Sequence, residues 1–205
     1  MRIGVVADTH HPEFLDRLPE RLFDTFKGVD LILHAGDVGG RETLERLALL
    51  APVQAVRGDH DRSLPELPQE RVLEAEGRRI AVVHGNRSRL IEEPVTFVGT
   101  VSLGYLWPAP GLDGWLRARF PDADVIVHGH THEPRLRRLE GTLIFNPGAV
   151  YQVTPAAARA RLQGHPGWFE WSWLQVVRHR RRHPEPSVGI LDLDEKGVRA
   201  SIVPL

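Results

Sequence analysis

Carboxylate and imidazole side chains recur in five short runs of this chain: Asp8-Thr9-His10, Gly36-Asp37, Gly58-Asp59-His60-Asp61, His84-Gly85 and Gly129-His130-Thr131-His132. Oxygen and nitrogen donors of this kind hold divalent first-row metals, and with no cysteine in the 205 residues thiolate ligation is excluded. One aspartate at the end of a strand is more often a helix cap or a turn residue than a ligand. Five such runs in series point instead to a metal cluster. Each follows an apolar stretch of strand length: Ile3 to Ala7, Leu31 to Ala35, Val53 to Val56, Ile80 to Val83 and Val125 to Val127. The carboxyl ends of parallel strands gather in space, and ligand crevices of open α/β sheets lie beyond them, so groups far apart in the chain can converge on one site. His34 and His128 fall inside the strand-like runs and read as buried, hydrogen-bonded residues, whereas His11, His165, His179 and His183 read as surface residues.

The elements that must position these groups follow from hydrophobic period. Strand-like Arg2 to Ala7, a helical stretch from Glu13 to Phe26 interrupted by Pro19, Leu31 to Ala35, a helix from about Arg41 to Leu50 and Val53 to Arg57 make a βαβαβ series. Leu44, Leu47 and Ala48 give the second helix one apolar face toward a sheet. Short strands around Arg71 to Ala75 and Arg78 to Val83 precede a helix near Leu112 to Phe120. Asp124 to His128, Arg135 to Leu139 and Thr142 to Phe145 then read as strands, and Gly189 to Asp194 with Val198 to Val203 as a closing hairpin. So many strands need two sheets to bury them.

In this order and spacing, the runs D-x-H, GD, GDHD, HG and GHTH resemble the calcineurin-like metallophosphoesterases, and most closely the small bacterial and archaeal phosphodiesterases among them. The resemblance covers about Met1 to Ala149 and Ser187 to Leu205, with Asn146-Pro147-Gly148-Ala149 standing where the family has a similar N-P-G-S turn. It implies an α/β fold of four layers, an αββα sandwich of two mixed β-sheets flanked by helices. It also implies a metal-dependent phosphoric ester hydrolase holding two divalent ions, with Mn expected and Fe, Zn, Ni or Co as alternatives. By the same resemblance Asp37 bridges the ions, Asp8, His10 and His132 complete one site, and Asp59, His84 and His130 complete the other. Two ions about 3.5–4 Å apart generate a bridging hydroxide and clamp the attacking and leaving oxygens of an in-line displacement. His60 stands where the family places the group that protonates the leaving oxygen, with Asp61 orienting its imidazole.

The expected substrate is a small phosphodiester or nucleotide. A phosphomonoesterase or dinucleoside polyphosphate hydrolase on the same core is the enzymatic alternative, and a weakly active protein-binding scaffold of the same fold, the role to which the retromer subunit has turned, is the other. One departure bears on rate. Family members usually read G-N-H-D where this chain has Gly58-Asp59-His60-Asp61. An amide offers one oxygen and an N–H, whereas ionised Asp59 adds a third carboxylate to Asp8 and Asp37 and has no donor. Metal should be held more firmly and an anionic substrate repelled, so slow turnover is expected.

Residues 1–205 read as a single domain carrying an insertion at about 154–186 where the family pattern is compact. The insertion holds a helix candidate at Ala156 to Leu162, the aromatic residues Trp168, Trp171 and Trp173, and a basic tract from Arg178 to His183. Aromatics beside arginines suit base stacking or a subunit interface; the interface, or a flap packed on the core, is favoured, and a homo-oligomer through this segment is one of the expectations. A net charge of -1 gives no global pull toward nucleic acid or an anionic membrane. No apolar stretch approaches the roughly 18 residues of a membrane span, and no basic-then-apolar leader opens the chain, so a cytoplasmic protein is expected.

Overall fold

β1 (Arg2–Val6) is buried on both faces, and each face meets a different partner. Ile3 and Val5 join a cluster with Leu33, Val82, Val127 and Phe145, while Val6 joins Leu22, Phe26, Ile32 and Leu47. Period-two burial of this kind requires a sheet with a second sheet on one side and helices on the other. This computed structural model describes residues 1–87, 98, 111–179 and 183–205. They divide into two units, Met1–Gly85 with Leu112–Tyr151 and Pro184–Leu205, and Asn86–Gly111 with Gln152–His183.

All described strands belong to the first unit. β1 lies parallel to β2 (Leu31–His34), which lies parallel to β3 (Val53–Ala55). β9 (Ser187–Asp194) runs antiparallel to β1 and to β10 (Gly197–Pro204), giving the order β10-β9-β1-β2-β3. The second sheet has the order β4-β5-β6-β8-β7, from β4 (Glu70–Ala75), β5 (Arg78–Val83), β6 (Val125–Val127), β7 (Arg135–Leu139) and β8 (Thr142–Asn146). Its middle strands β5, β6 and β8 are parallel and its edges are antiparallel. Leu22 and Phe26 of α1 (Glu20–Phe26) and Leu47 of α2 (Arg41–Ala48) cover the first sheet. α3 (Leu112–Arg119) is tied to β7, since Arg135 and Arg137 lie 3.0 and 2.8 Å from the buried Asp113 carboxylate. The fold is α/β, two mixed five-stranded sheets with flanking helices, as the sequence led us to expect.

One expected element is corrected. The helical stretch from Glu13 to Phe26 is helical only from Glu20, with Pro19 as the residue before its first turn. Proline lacks an N–H and disfavours helical backbone in the residue before it, so no turn propagates across it. Upstream, the Phe14 and Leu15 amides bond to the His10 carbonyl at 2.7 and 3.2 Å, a single turn folded over the strand end.

The second unit contributes α4 (Pro155–Gln163) and α5 (Trp168–His179) among the described residues. Thr154 caps α4, its hydroxyl accepting the Ala157 amide at 3.1 Å, and Pro155 opens the first turn. Arg161 of α4 holds Glu170 of α5 at 2.5 Å. In the basic tract from Arg178 to His183, residues 180–182 lie outside the described residues. Among the described residues no helix is long and apolar enough to cross a membrane.

Candidate metal centre

The five runs follow five strands of the first unit, and the structure brings their side chains together. Asp8 and His10 follow β1, Asp37 follows β2, Asp59 and His60 follow β3, His84 follows β5, and His130 and His132 follow β6. The centre thus draws on the carboxyl ends of parallel strands in both sheets. Donor atoms of Asp8, His10 and His132 all lie within 4.8 Å of one another, as do those of Asp59, His84 and His130. Asp37 connects the two sets, with Oδ2 3.5 Å from His10 Nε2 and 3.4 Å from His84 Nε2. His132 Nε2 lies 3.4 Å from Asp8 Oδ1, and His130 Nδ1 3.6 Å from Asp59 Oδ2.

Backbone bonds hold these loops in register. Asp8 N donates to Gly36 O at 3.0 Å and His10 N to Asp37 O at 3.0 Å, while Gly129 N donates to His84 O at 3.0 Å in the other sheet. The His130 amide crosses to the Asp8 carboxylate at 3.1 Å, and the His60 amide donates to Asp37 Oδ1 at 2.9 Å. Five of the seven candidate ligands, Asp8, His10, Asp37, His130 and His132, have φ between 46 and 67°. Left-handed backbone at residues with a side chain costs about 1–3 kcal/mol each and concentrates where structure is spent on function. Two glycines let the ligands approach: a Cβ at Gly58 would collide with Asp37 Oδ1, and one at Gly129 would lie 2.7 Å from Asp8 Oδ2.

Burial grades across the centre. Asp8 and His84 are fully buried, Asp37 and His10 nearly so, while Asp59 and His60 are 49% and 44% exposed. The mouth is therefore on the Asp59–His60 side. Burial opposes charge on Asp37, but His84, His10 and the His60 amide hold its carboxyl far below the usual carboxylate range. Burial likewise opposes charge on Asp8, and His132 and His84 bring it down. Burial pushes His10 down to about 4 against the pull of Asp37, whereas His84, despite its burial, is raised to about 10 by Asp37 and Asp8. Buried carboxylates that draw a proton onto an imidazole so strongly are a site that wants a cation.

A divalent ion fits this donor set. His84 Nδ1 lies 2.8 Å from the Ala35 carbonyl, which can only accept, so Nδ1 carries the proton and Nε2 is left facing Asp37. His84 Nε2, 3.4 Å from Asp37 Oδ2, is a buried ring nitrogen without a hydrogen-bond partner. An unpartnered nitrogen beside two carboxylates, Asp37 and Asp8, is one that a divalent ion would satisfy.

Several neighbours were not legible in the sequence, or were read otherwise. Asp61 does not orient the His60 imidazole. It is fully buried, its two oxygens accepting the Gly39 amide at 3.0 Å and the Gly58 amide at 2.8 Å, and so it ties the loop after β2 to the loop after β3. The carboxylate beside His60 Nδ1 is instead Glu13, 3.5 Å away. His11 is buried rather than on the surface, its ring 3.0 Å from the Thr43 hydroxyl of α2. His34 and His128 are buried, one ring nitrogen of each bonded, to Thr9 Oγ1 and to the Gly129 carbonyl. Asn146 donates to Gly129 O and Thr131 Oγ1 at 2.9 and 3.0 Å and so fixes the loop of His130 and His132. The polar types of Asp61, Asn146 and His11 were visible, but their partners, backbone groups and the Thr43 and Thr131 hydroxyls, are brought near only by folding.

Comparison with known proteins agrees with this geometry. The calcineurin-like phosphoesterase superfamily domain matches residues 1–162. A probable metallophosphoesterase of Methanothermobacter thermautotrophicus is 39% identical over 168 residues, covering 80% of this chain and 87% of that protein. Another, from Methanocaldococcus jannaschii, is 35% identical over 150 residues, covering 73% of this chain and 68% of its own. Among solved structures, Vps29 of Entamoeba histolytica in complex with zinc has a TM-score of 0.64 at 20% identity, covering 100% of this chain and 99% of that one. An archaeal phosphodiesterase has a TM-score of 0.56 at 19% identity, covering 99% of this chain and 100% of its own. Likenesses at that identity speak for the fold, while the match over residues 1–162 takes in all five runs; the chain belongs to the calcineurin-like phosphoesterase superfamily.

Proposed function

We propose that this protein is a phosphodiesterase with a dinuclear metal centre, acting on small phosphodiesters or nucleotides. The observation that carries the reading is the pair of donor sets, Asp8, His10 and His132 beside Asp59, His84 and His130, with Asp37 within 3.5 Å of an imidazole of each. Two bound divalent ions would supply Lewis acidity toward the phosphoryl oxygens and an activated water at neutral pH. Mn is our assignment, because three carboxylates among all-nitrogen-and-oxygen donors suit a hard ion, with Fe, Zn, Ni or Co as alternatives.

The chain's own groups divide the remaining work. Asp37, held as a carboxylate, keeps the two sets at a fixed separation. His60, its backbone pinned to Asp37 and its ring 4.9 Å from that of His10 at the open edge, is placed to give a proton to the leaving oxygen. A panel of bis-p-nitrophenyl phosphate, p-nitrophenyl phosphate and cyclic nucleotides under several divalent ions, alongside His60→Ala, tests the reading. Diester cleavage requiring Mn is expected, falling at least about 100-fold in His60→Ala on the cyclic nucleotides, whose alkoxide leaving group needs a proton, and much less on the p-nitrophenyl ester, since general acid–base groups contribute roughly 10²–10⁴-fold. Preference for the monoester would favour a phosphomonoesterase, and inactivity throughout would favour a protein-binding scaffold of the same fold.

A further inference from the structure

Phe14 is an apolar ring left 41% exposed at the edge of a cluster of charged groups. Its ring centroid lies 5.5 Å from that of His60 and 5.3 Å from that of His10, and Tyr151 completes the group at 5.6 Å from both Phe14 and His10. Both aromatics hang from the backbone of candidate ligands: the Phe14 amide donates to the His10 carbonyl at 2.7 Å, and the Tyr151 amide to the Asp8 carbonyl at 3.0 Å. The turn is anchored again on its far side, where the Thr43 hydroxyl of α2 donates to the His11 carbonyl at 2.8 Å. The rings are therefore positioned before any substrate arrives.

We infer that Phe14, with Tyr151 beside it, is a stacking platform for the leaving group, and that the preferred substrates are diesters whose leaving alcohol carries a planar ring, an aryl group or a nucleoside. The inference rests on the phosphodiesterase reading for its direction. His60 protonates the departing oxygen, so the group bonded to that oxygen lies on the His60 side, and the exposed ring in contact with His60 is Phe14. A π-face is what every nucleobase or aryl ring can stack on, without regard to its hydrogen-bonding edge. An aliphatic alcohol gains much less there.

The test compares bis-p-nitrophenyl phosphate with glycerophosphoethanolamine, both followed by phosphorus NMR, in wild type, Phe14→Ala, Phe14→Leu and Phe14→Tyr. Calorimetric binding of adenosine 5′-monophosphate and of glycerol 3-phosphate to the Mn-loaded proteins is measured alongside. Phe14→Ala and Phe14→Leu should lower the aryl-to-aliphatic ratio of kcat/KM by about tenfold, a typical stacking contribution, while Phe14→Tyr keeps the wild-type ratio. Phe14→Leu retains apolar bulk and removes only the π-face, so it also separates stacking from loss of packing. Equal losses on both diesters, or no loss on either, would overturn the platform. If wild type cleaves neither diester, the phosphodiesterase reading fails, and binding decides the platform separately. Tighter binding of adenosine 5′-monophosphate than of glycerol 3-phosphate, with the difference lost in Phe14→Leu, would uphold it; a difference unchanged by Phe14→Leu, or none in wild type, would sink it.

Discussion

Asp59 is the side chain whose exchange should speed this protein up. It lies in the donor set of His84 and His130, half exposed at the mouth, where the family resemblance leads one to expect an amide. Asp59→Asn keeps the shape and removes one negative charge that an anionic substrate must approach. Turnover should rise by about tenfold, the equivalent of ~1.4 kcal/mol of barrier, while affinity for the metal weakens. Steady-state kinetics beside metal titration would check both, and slower turnover would contradict the charge argument. The buried histidines set a pH signature for the metal-free protein. His10, His34 and His128 are each lowered to about 4 by burial, so their contribution to stability is present above the unfolded value of 6.5 and lost as pH falls toward 4. His84 is raised to about 10, so its contribution is present below 6.5 and lost as pH rises toward 10. Melting temperature of EDTA-treated protein should peak near pH 6.5 and fall on both sides, each unmatched proton changing stability by about 1.4 kcal/mol per pH unit. Saturating Mn should flatten the alkaline limb, because the cation replaces the proton of His84.

At the scale of elements, Asp61 joins the loops after β2 and β3. Asp61→Ala strips two backbone amides, of Gly39 and Gly58, of their acceptors and should destabilise the fold by about 2–4 kcal/mol. Because Asp37 and Asp59 ride on those loops, metal affinity should also weaken by about 10–100-fold, measured by titration of the metal-free protein. An unchanged affinity would show that the loops hold themselves. The same scale shows what sequence could and could not disclose. Apolar runs ending in acid or imidazole marked the strand ends, because strand burial and the gathering of carboxyl ends follow from period alone. The early start of the first helix was misread, since the apolar spacing of Phe14 and Leu15 fits a helix as well as it fits one turn over His10. α5 went unpredicted as a helix because its three tryptophans and basic end offer no cap or clear stripe. Glu13 and Tyr151 were missed for another reason: their place in the site depends on the direction of a turn, which composition does not encode.

Across the first unit, the candidate centre takes ligands from β1, β2 and β3 of one sheet and from β5 and β6 of the other. A bound cation therefore ties the two sheets together and must be released when either opens. At a free metal concentration 100 times its Kd, one site adds about 2.7 kcal/mol, or a rise of about 5–10 °C in Tm for a chain of this size. Scanning calorimetry with and without Mn would measure the shift, and Asp37→Ala should abolish most of it. The path of the chain gives this arrangement an order in time. Asp8 and Asp37 leave the ribosome well ahead of His130 and His132, and β9, which pairs with β1, comes later still. A nascent chain holds five of the seven candidate ligands once His84 is made, but each donor set waits for its last member, His130 or His132. An ion held by both complete sets would act as a late latch, closing across two sheets whose strands were made at different times.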